Sequence, residues 1–251
     1  MPYKRLIKSL IPRRLRALLR GPMDYRQISY AQEGEDLILA ALFDLRESKR
    51  PGFYVDVGAH HPQRLSNTFL FYLSGWSGIN IDAMPGSMRA FRRERPRDIN
   101  IEVPVGEDDK VLTYYEFNEP ALNGFCRDRV PMGYHGWTIV GERQLMTTTL
   151  AHLLEEHLPP GQLIDFMSVD VEGLDLQVLR SNDWTKFRPT VIVVEDDPAN
   201  QLSRTGDSNT ATYLAENGYE FCCRTPLTQF FVEQDQIEST LRGPRVRSRL
   251  S

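Results

Sequence analysis

Apolar runs that read as buried strands recur along the chain, each followed by residues that punctuate a helix. Residues 53–57, FYVDV, and 78–81, GINI, are nearly continuous in apolar character and end at Gly58 and Asp82. Strands covered on both faces need such runs, and that is the setting of a parallel sheet. Between them, Asn67 and Thr68 precede the apolar segment 69–73 and Gly75 follows it, as expected of a crossover helix. Upstream, Glu35 and Asp36 open an apolar helical segment over 37–43, where acids suit the positive end of the helix dipole. Downstream, a basic helix over 88–95, its arginines expected on a solvated face, leads to a third strand over 98–105.

The pattern loosens between residues 111 and 149. VLTYYEF at 111–117 alternates as a strand does, and the section reads as strands and loops inserted between sheet elements. Such an insert either covers a substrate or only shields a sheet edge. Thr149 then caps a helix over 150–157 that Pro159, Pro160 and Gly161 end. A strand ending in Asp170 precedes a helix over 174–179, and the β-branched run from residue 189 ends in Glu195, Asp196 and Asp197. A helix over 210–217 and two closing strands, 218–223 and 228–232, complete the order. The reading is an α/β fold with a doubly wound, mostly parallel sheet and a C-terminal antiparallel hairpin.

Composition adds limits. A hydrophobic fraction of 41% in 251 residues supports one large domain, placed at 23–238. No apolar run approaches the roughly 20 residues that span a bilayer. Cys126, Cys222 and Cys223 show no CxxC spacing and read as reduced core residues of a cytoplasmic protein. The net charge of -4 hides a division, because residues 1–22 carry seven cations and no acid, and the tail 239–251 carries four arginines and no acid. In the first arm Leu6, Ile7, Leu10, Ile11, Leu15, Leu18 and Leu19 recur near helical spacing, interrupted by Pro12. Two readings fit: an interfacial helix on an anionic membrane at the inner face, or an arm packed on its own domain. No long h-region or cleavage site marks a secretory signal. With the cations at the ends and an acidic body between them, nucleic-acid binding is not expected.

The first strand-helix-strand unit carries the chemistry. In a doubly wound sheet the loop after the first strand meets a ligand crevice, and the acid ending the second strand faces a ribose. Asp82 lies 24 residues beyond Gly58, near that spacing. Yet Gly58 is followed by Ala59, His60, His61 and Pro62, with none of the further glycines that cradle a pyrophosphate. A nucleoside ligand without phosphates, such as S-adenosylmethionine, fits this loop better than NAD or ATP.

Five ordered blocks then carry a family resemblance. They are Gln32-x-Gly34-Glu35-Asp36, the run from Tyr54 to Pro62, Ser66-Asn67-Thr68, the run from Gly75 to Asp82, and Val169-Asp170-Val171-Glu172-Gly173. Together, over about residues 29–223, the chain resembles an FkbM-type S-adenosylmethionine-dependent methyltransferase, and the element order is that of the Rossmann-like class I methyltransferase sheet. The resemblance implies methyl transfer to a hydroxyl of a sugar, glycan or natural product. Cofactor candidates are Asp82 for the ribose, Gly58 for close backbone approach, and Gln32, Glu35 and Asp56 at the methionine end, with Ala59, Asn67 and Asp170 completing the set. Proton removal has two candidate agents. His60 or His61 could serve as the base, or a divalent metal such as Mg could be held by Asp170 with Asp196 or Asp197, Glu172 being a further candidate. Two other functions compete: a catalytically silent subunit of a membrane-surface glycan assembly, and a nucleotide-sugar oxidoreductase, which calls for the glycine fingerprint that this chain lacks.

Overall fold

A computed structural model describes residues 26–45, 48, 50–127, 136–195 and 208–237. The basic arm at 1–22 and the tail at 239–251 lie outside the described residues. In chain order the elements are α1 (Glu35–Leu42), β1 (Phe53–Val57), α2 (Phe69–Leu73), β2 (Ser77–Asp82), α3 (Met88–Glu94), β3 (Ile99–Glu102), β4 (Val111–Phe117) and β5 (Ile139–Met146). They continue as α4 (Leu150–His157), β6 (Phe166–Val169), α5 (Asp175–Arg180), β7 (Val191–Glu195), α6 (Asn209–Glu216), β8 (Tyr219–Arg224) and β9 (Thr228–Glu233).

Seven strands form one sheet in the order β3-β2-β1-β6-β7-β9-β8, while β4 and β5 pair apart from it. Neighbours from β3 through β7 run parallel, and β9 is antiparallel to both β7 and β8. This is the class I methyltransferase order expected from the sequence. The chain builds outward from β1 to β3, then returns to the other side of β1 with β6, so the winding reverses between those two strands. Ligands bind doubly wound sheets outside the carboxyl ends at such a reversal. Among the described residues, no helix is long and apolar enough to cross a membrane.

Alternation along each strand splits the core into two layers. Val55, Val57, Ile79, Met167 and Ile192 pack with Leu150, Leu154, Val178 and Leu214 of α4, α5 and α6. Tyr54, Phe166, Val191 and Val193 pack with Leu39 of α1, Phe71 of α2 and Trp76. Every residue of β1 is buried, as a central parallel strand covered twice must be. The cysteines depart from expectation. All three are free, Cys126 is exposed, and Cys222 and Cys223 are half-buried at a bulge of β8, whose outer position leaves one side of the strand uncovered.

The face toward α2 also carries a polar row, with Asn100, Asn80, Asp56 and Ser168 in register on four adjacent strands. Each makes at least one hydrogen bond, though the buried Asn80 Oδ1 has no partner. Asn80 Nδ2 donates to Asn100 Oδ1 at 2.8 Å, Thr68 Oγ1 to Asp56 Oδ2 at 2.6 Å and Asn67 Nδ2 to Ser168 Oγ at 3.0 Å. Thr68 therefore faces the sheet, and the cap of α2 comes from Ser66, whose Oγ accepts from the Phe69 amide at 3.1 Å.

Arg95 covers this row, and here the expected solvated face fails. Arg89, Arg92 and Arg93 are exposed, but Arg95 is 0% exposed. Its Nε donates to Asp98 Oδ2 at 2.8 Å, and its Nη2 to the Tyr54 hydroxyl at 2.8 Å and to Thr68 Oγ1 at 3.0 Å. Asp98 accepts in addition from Tyr54 Oη at 2.8 Å, the Gly78 amide at 3.0 Å and Asn80 Nδ2 at 3.0 Å. A helical pattern reports only that a basic residue lies near the end of α3, whereas these partners come from β1, β2 and the loop before α2.

Removing one partner of a buried ion pair leaves the other charge uncompensated. Asp98→Ala is therefore expected to lower unfolding stability by about 3–5 kcal/mol in urea titrations. Arg92→Ala, on the exposed side of the same helix, should stay within about 0.5 kcal/mol of the unmodified protein.

Candidate active site

A cavity of about 670 Å³ opens at the carboxyl ends of β1, β2, β6 and β7, within the size range of small-molecule sites. Gly58, His60, Asp82, Asp170, Glu172 and Glu195 reach it from the strand ends, and Gln32 and Leu227 from adjoining loops. Val103 and Val105 lie on the side of β3, with Ala83 and Met84 beside them.

Gly58 makes the convergence of β1 and β6 possible. Its φ is +87°, and a Cβ there would lie 1.7 Å from the Asp170 carbonyl oxygen. The close approach expected at Gly58 is thus made to the protein's own backbone. The loop that follows spends its amides internally. Those of Gly58 and Ala59 donate to the Ile81 carbonyl at 2.9 and 3.0 Å, that of His60 to Asp82 Oδ2 at 2.9 Å, and that of His61 to the Ala59 carbonyl. None of these four amides is left over to cradle a phosphate.

Asp82 is buried at the cavity wall, with Oδ1 accepting from the Met84 amide at 2.8 Å. Burial raises its pKa above the usual carboxylate value, and the bonds from Met84 and His60 oppose that rise. Each carboxylate oxygen has a second acceptor position, which suits a diol. His60 takes a left-handed backbone, φ 50°, and its buried Nε2 has no hydrogen-bond partner. Burial lowers its pKa below the ordinary 6.5, against the pull of the Asp82 carboxylate, so the imidazole is neutral at neutral pH.

Six of the residues singled out in the sequence line the cavity: Gln32, Gly58, His60, Asp82, Asp170 and Glu172. Five others are placed elsewhere. His61 Nδ1 accepts the amides of Gln63 and Arg64 at 3.1 and 3.0 Å and so holds the loop. Ala59 packs on Met88 and Phe91, and Asn67 ties the start of α2 to β6. Glu35 accepts from the Glu33 amide at 2.8 Å and the Thr228 hydroxyl at 3.2 Å, joining α1 to β9. Asp56 lies beneath Thr68, where burial raises its pKa. An acid at a strand end or a helix start reads alike in sequence whether it faces ligand or protein.

Asp170, Asp175 and Glu195 each bring a carboxylate oxygen within 4.8 Å of the others, close enough to share one divalent cation. Asp175 also accepts the amides of Val171 and Gly173 at 3.0 and 3.1 Å, which orders the turn carrying Glu172. Asp196 and Asp197, expected beside Asp170, lie outside the described residues.

Of the two roles open to the insert, covering a substrate or shielding a sheet edge, the structure places it over the cavity, through residues that the sequence did not single out. Tyr114, Glu119, Leu122, Phe125 and Trp137 line the cavity, so the β4–β5 section covers it. Tyr115 and Gly124 exchange backbone bonds of 2.8 and 3.2 Å, and a Cβ on Gly124 would lie 2.9 Å from that of Glu172. At the rim, Arg64 pairs with Glu119 at 3.1 Å. Alternation over 111–117 sets Tyr114 apart from its neighbours, but the face that meets the cavity depends on where the hairpin lands.

The Methyltransferase FkbM domain matches residues 56–221, most of the chain and all of the parallel sheet beyond the first three residues of β1. The chain belongs to the FkbM methyltransferase family. Among solved structures, it is similar to precorrin-6y C5,15-methyltransferase from Geobacter metallireducens GS-15, with 12% identity, TM-score 0.43 and coverage of 82% of this chain and 90% of that one. It is similar to the C-terminal domain of the Rhodobacter capsulatus precorrin-6Y C5,15-methyltransferase, with 11% identity, TM-score 0.38 and coverage of 84% and 94%. Monomeric WbdD matches at 12% identity and TM-score 0.42, over 84% of this chain and 42% of that one. No curated protein matches the chain.

Two glycines of this methyltransferase separate backbone strain from crowding. Gly34 has φ +90° with nothing within 4 Å of a built Cβ, so Gly34→Ala should cost only the left-handed penalty of about 1–2 kcal/mol. Gly58→Ala adds a clash with Asp170 and should cost about 1–3 kcal/mol more. Urea unfolding of both variants checks the difference.

Proposed function

We propose that this FkbM methyltransferase takes its methyl group from S-adenosylmethionine and places it on a hydroxyl of a sugar, glycan or natural-product acceptor. The observation that carries the cofactor reading is the commitment of the Gly58, Ala59, His60 and His61 amides to protein acceptors. A pyrophosphate ligand would need such amides, whereas a nucleoside needs a diol acceptor beside an apolar slot. Asp82 beside Ala83, Met84, Val103 and Val105 supplies both. This favours a methyl donor over a nicotinamide dinucleotide.

S-adenosylmethionine, when bound, supplies an electrophilic methyl group on a positive sulfonium. Asp82 would accept the ribose hydroxyls. The carboxylates of Asp170, Glu172 and Glu195 line the same cavity and favour the cationic form of the donor. His60 would take the acceptor's hydroxyl proton on Nε2 as the oxygen–methyl bond forms and the methyl–sulfur bond breaks, with S-adenosylhomocysteine leaving as the neutral thioether, since a neutral alcohol is a weak nucleophile. Lowering of its pKa keeps that nitrogen unprotonated. The insert would exclude water and hold the acceptor oxygen in line with the methyl carbon, where alignment contributes much of the rate. A metal on Asp170, Asp175 and Glu195 is the competing way to activate the hydroxyl.

Calorimetry and methyl-transfer assays test this reading together. S-adenosylmethionine or its demethylated product is expected to bind, and Asp82→Ala to weaken binding by about 1.5–3 kcal/mol. Binding of NAD alone would sink the proposal. His60→Ala should keep cofactor affinity while losing turnover. In the unmodified enzyme, turnover should decline with acidification only below pH 6.5, because the imidazole protonates below its ordinary value. Loss of activity on chelation, with His60→Ala still active, would instead favour the metal.

The cationic, apolar-striped arm at 1–22 supports action at the inner face of a membrane, on a lipid-linked or surface-bound glycan, from the cytoplasm. Each cation near an anionic surface contributes about 1 kcal/mol. The full chain should co-sediment with anionic vesicles more than a chain starting at Met23, and less so as salt rises. Equal sedimentation of the two would refute the anchor.

A further inference from the structure

The insert does more than lie across an acceptor. Tyr114, in the middle of β4, is 4% exposed and lines the cavity, with its ring edge-on to Phe125 at 5.2 Å. The segment after β4 is fastened to the strand ends at two points. Asn123 Oδ1 accepts the Phe117 amide at 2.7 Å while its Nδ2 lies 3.5 Å from Met84 Sδ, just past Asp82. Gly124 abuts Glu172 on the far side of the cavity. Burial raises the pKa of the Tyr114 phenol and the charges of Asp82, Glu116 and Glu172 add to that rise, while a hydrogen bond with the Asn123 side chain opposes it and leaves the phenol its own O–H to donate. It is therefore a neutral hydroxyl, able to donate, held close to the acid that waits for a diol.

We infer that the β4–β5 insert forms the outer wall of the nucleoside half of the cavity, and that the Tyr114 hydroxyl contacts the ribose held by Asp82. The inference rests on the S-adenosylmethionine reading and extends it to a residue that the strand ends do not supply. Val103 and Val105 beneath and Ala83 and Met84 beside form the slot for the base, and the insert closes it from outside. A ligand with a purine nucleoside then binds to two parts of the chain at once, the parallel sheet and the insert. A methionine-like fragment, lacking the nucleoside, gains nothing from Tyr114.

The test uses the full chain, with S-adenosylhomocysteine and with 5′-methylthioadenosine, which keeps the nucleoside and lacks the amino acid. Tyr114→Phe preserves the ring packing and removes one hydroxyl. Affinity for both ligands should fall by the same factor, about 2- to 12-fold as for one neutral hydrogen bond, with a cooperative ligand-free melting transition showing that the fold is kept. Full affinity in Tyr114→Phe, when the unmodified chain binds, overturns this inference and leaves the cofactor reading standing. So does a loss seen with S-adenosylhomocysteine alone, which would put the phenol at the amino-acid end. An unmodified chain that binds neither ligand sinks the cofactor reading and this inference with it. Hydrogen exchange gives a check without mutation. Either ligand should slow exchange at the Tyr115 and Gly124 amides, and unchanged exchange there on saturation would also overturn the contact.

Discussion

The buried guanidinium of Arg95 is the constraint on which the cavity depends. A charge taken out of water carries a large penalty unless its geometry is well met, and this one is met by Asp98, Tyr54 and Thr68. Burial works against its charge, but the nearby Tyr54, Asp98 and Asp56 hold its pKa above the ordinary arginine value. Its partners belong to β1, to the loop before α2 and to the approach to β3. Thr68 in turn donates to Asp56, and Asp98 accepts from the Gly78 amide and Asn80 Nδ2. A single side chain thereby fixes where the loop from Gly58 to Ser66 runs, and with it the positions of His60 and Arg64 at the cavity.

Above this network the ends of β1 and β6 come together because one residue has no side chain. The Gly58 α-carbon lies against the Asp170 carbonyl, at a place where any other residue would push the two strands apart. The same approach draws the loop amides inward, onto Ile81 and Asp82, and away from solvent. The consequence is chemical: the amides of Gly58, Ala59, His60 and His61 are spent inside the protein, while Asp82 keeps acceptor positions at the cavity wall.

The acids divide along the same lines. Glu35, Asp36 and Asp98 are fully engaged in holding segments together, Asp36 through Ser29 Oγ at 2.6 Å and the Tyr30 amide at 2.7 Å. Asp82, Asp170, Glu172 and Glu195 face the cavity, though Asp82 also fixes the loop through two amides. Cavity-lining and scaffolding carboxylates therefore stand within a few residues of one another, and an insert of separate architecture lies across the cavity.

Much of the fold followed from the chain alone. The helix at 69–73 appears with the expected bounds, as do β1 and α4, because hydrophobic period and terminal punctuation are local properties. Gly58 and Asp82 were legible for a related reason, since a parallel sheet puts strand ends at the crevice wherever the strands themselves lie. Period cannot report what a side chain meets across a gap. Arg95 read as solvated because, beyond Asp98 three positions on, its partners Thr68 and Tyr54 are 27 and 41 positions away, and Asp56, Asn67, Glu35 and His61 read as ligand-facing because theirs are 12 to 193 positions away or lie in backbone that only the folded loop presents. Tyr114 was invisible as a site residue, since its strand is separate from the main sheet and its placement depends on Asn123 meeting Met84 and Gly124 meeting Glu172. Hydrophobic period and punctuation were enough for the order of strands and helices and for the edge of the sheet where the strands end. Which polar groups face the cavity and which are spent on holding it is settled by contacts between segments far apart in the chain, and these exist only in the folded protein.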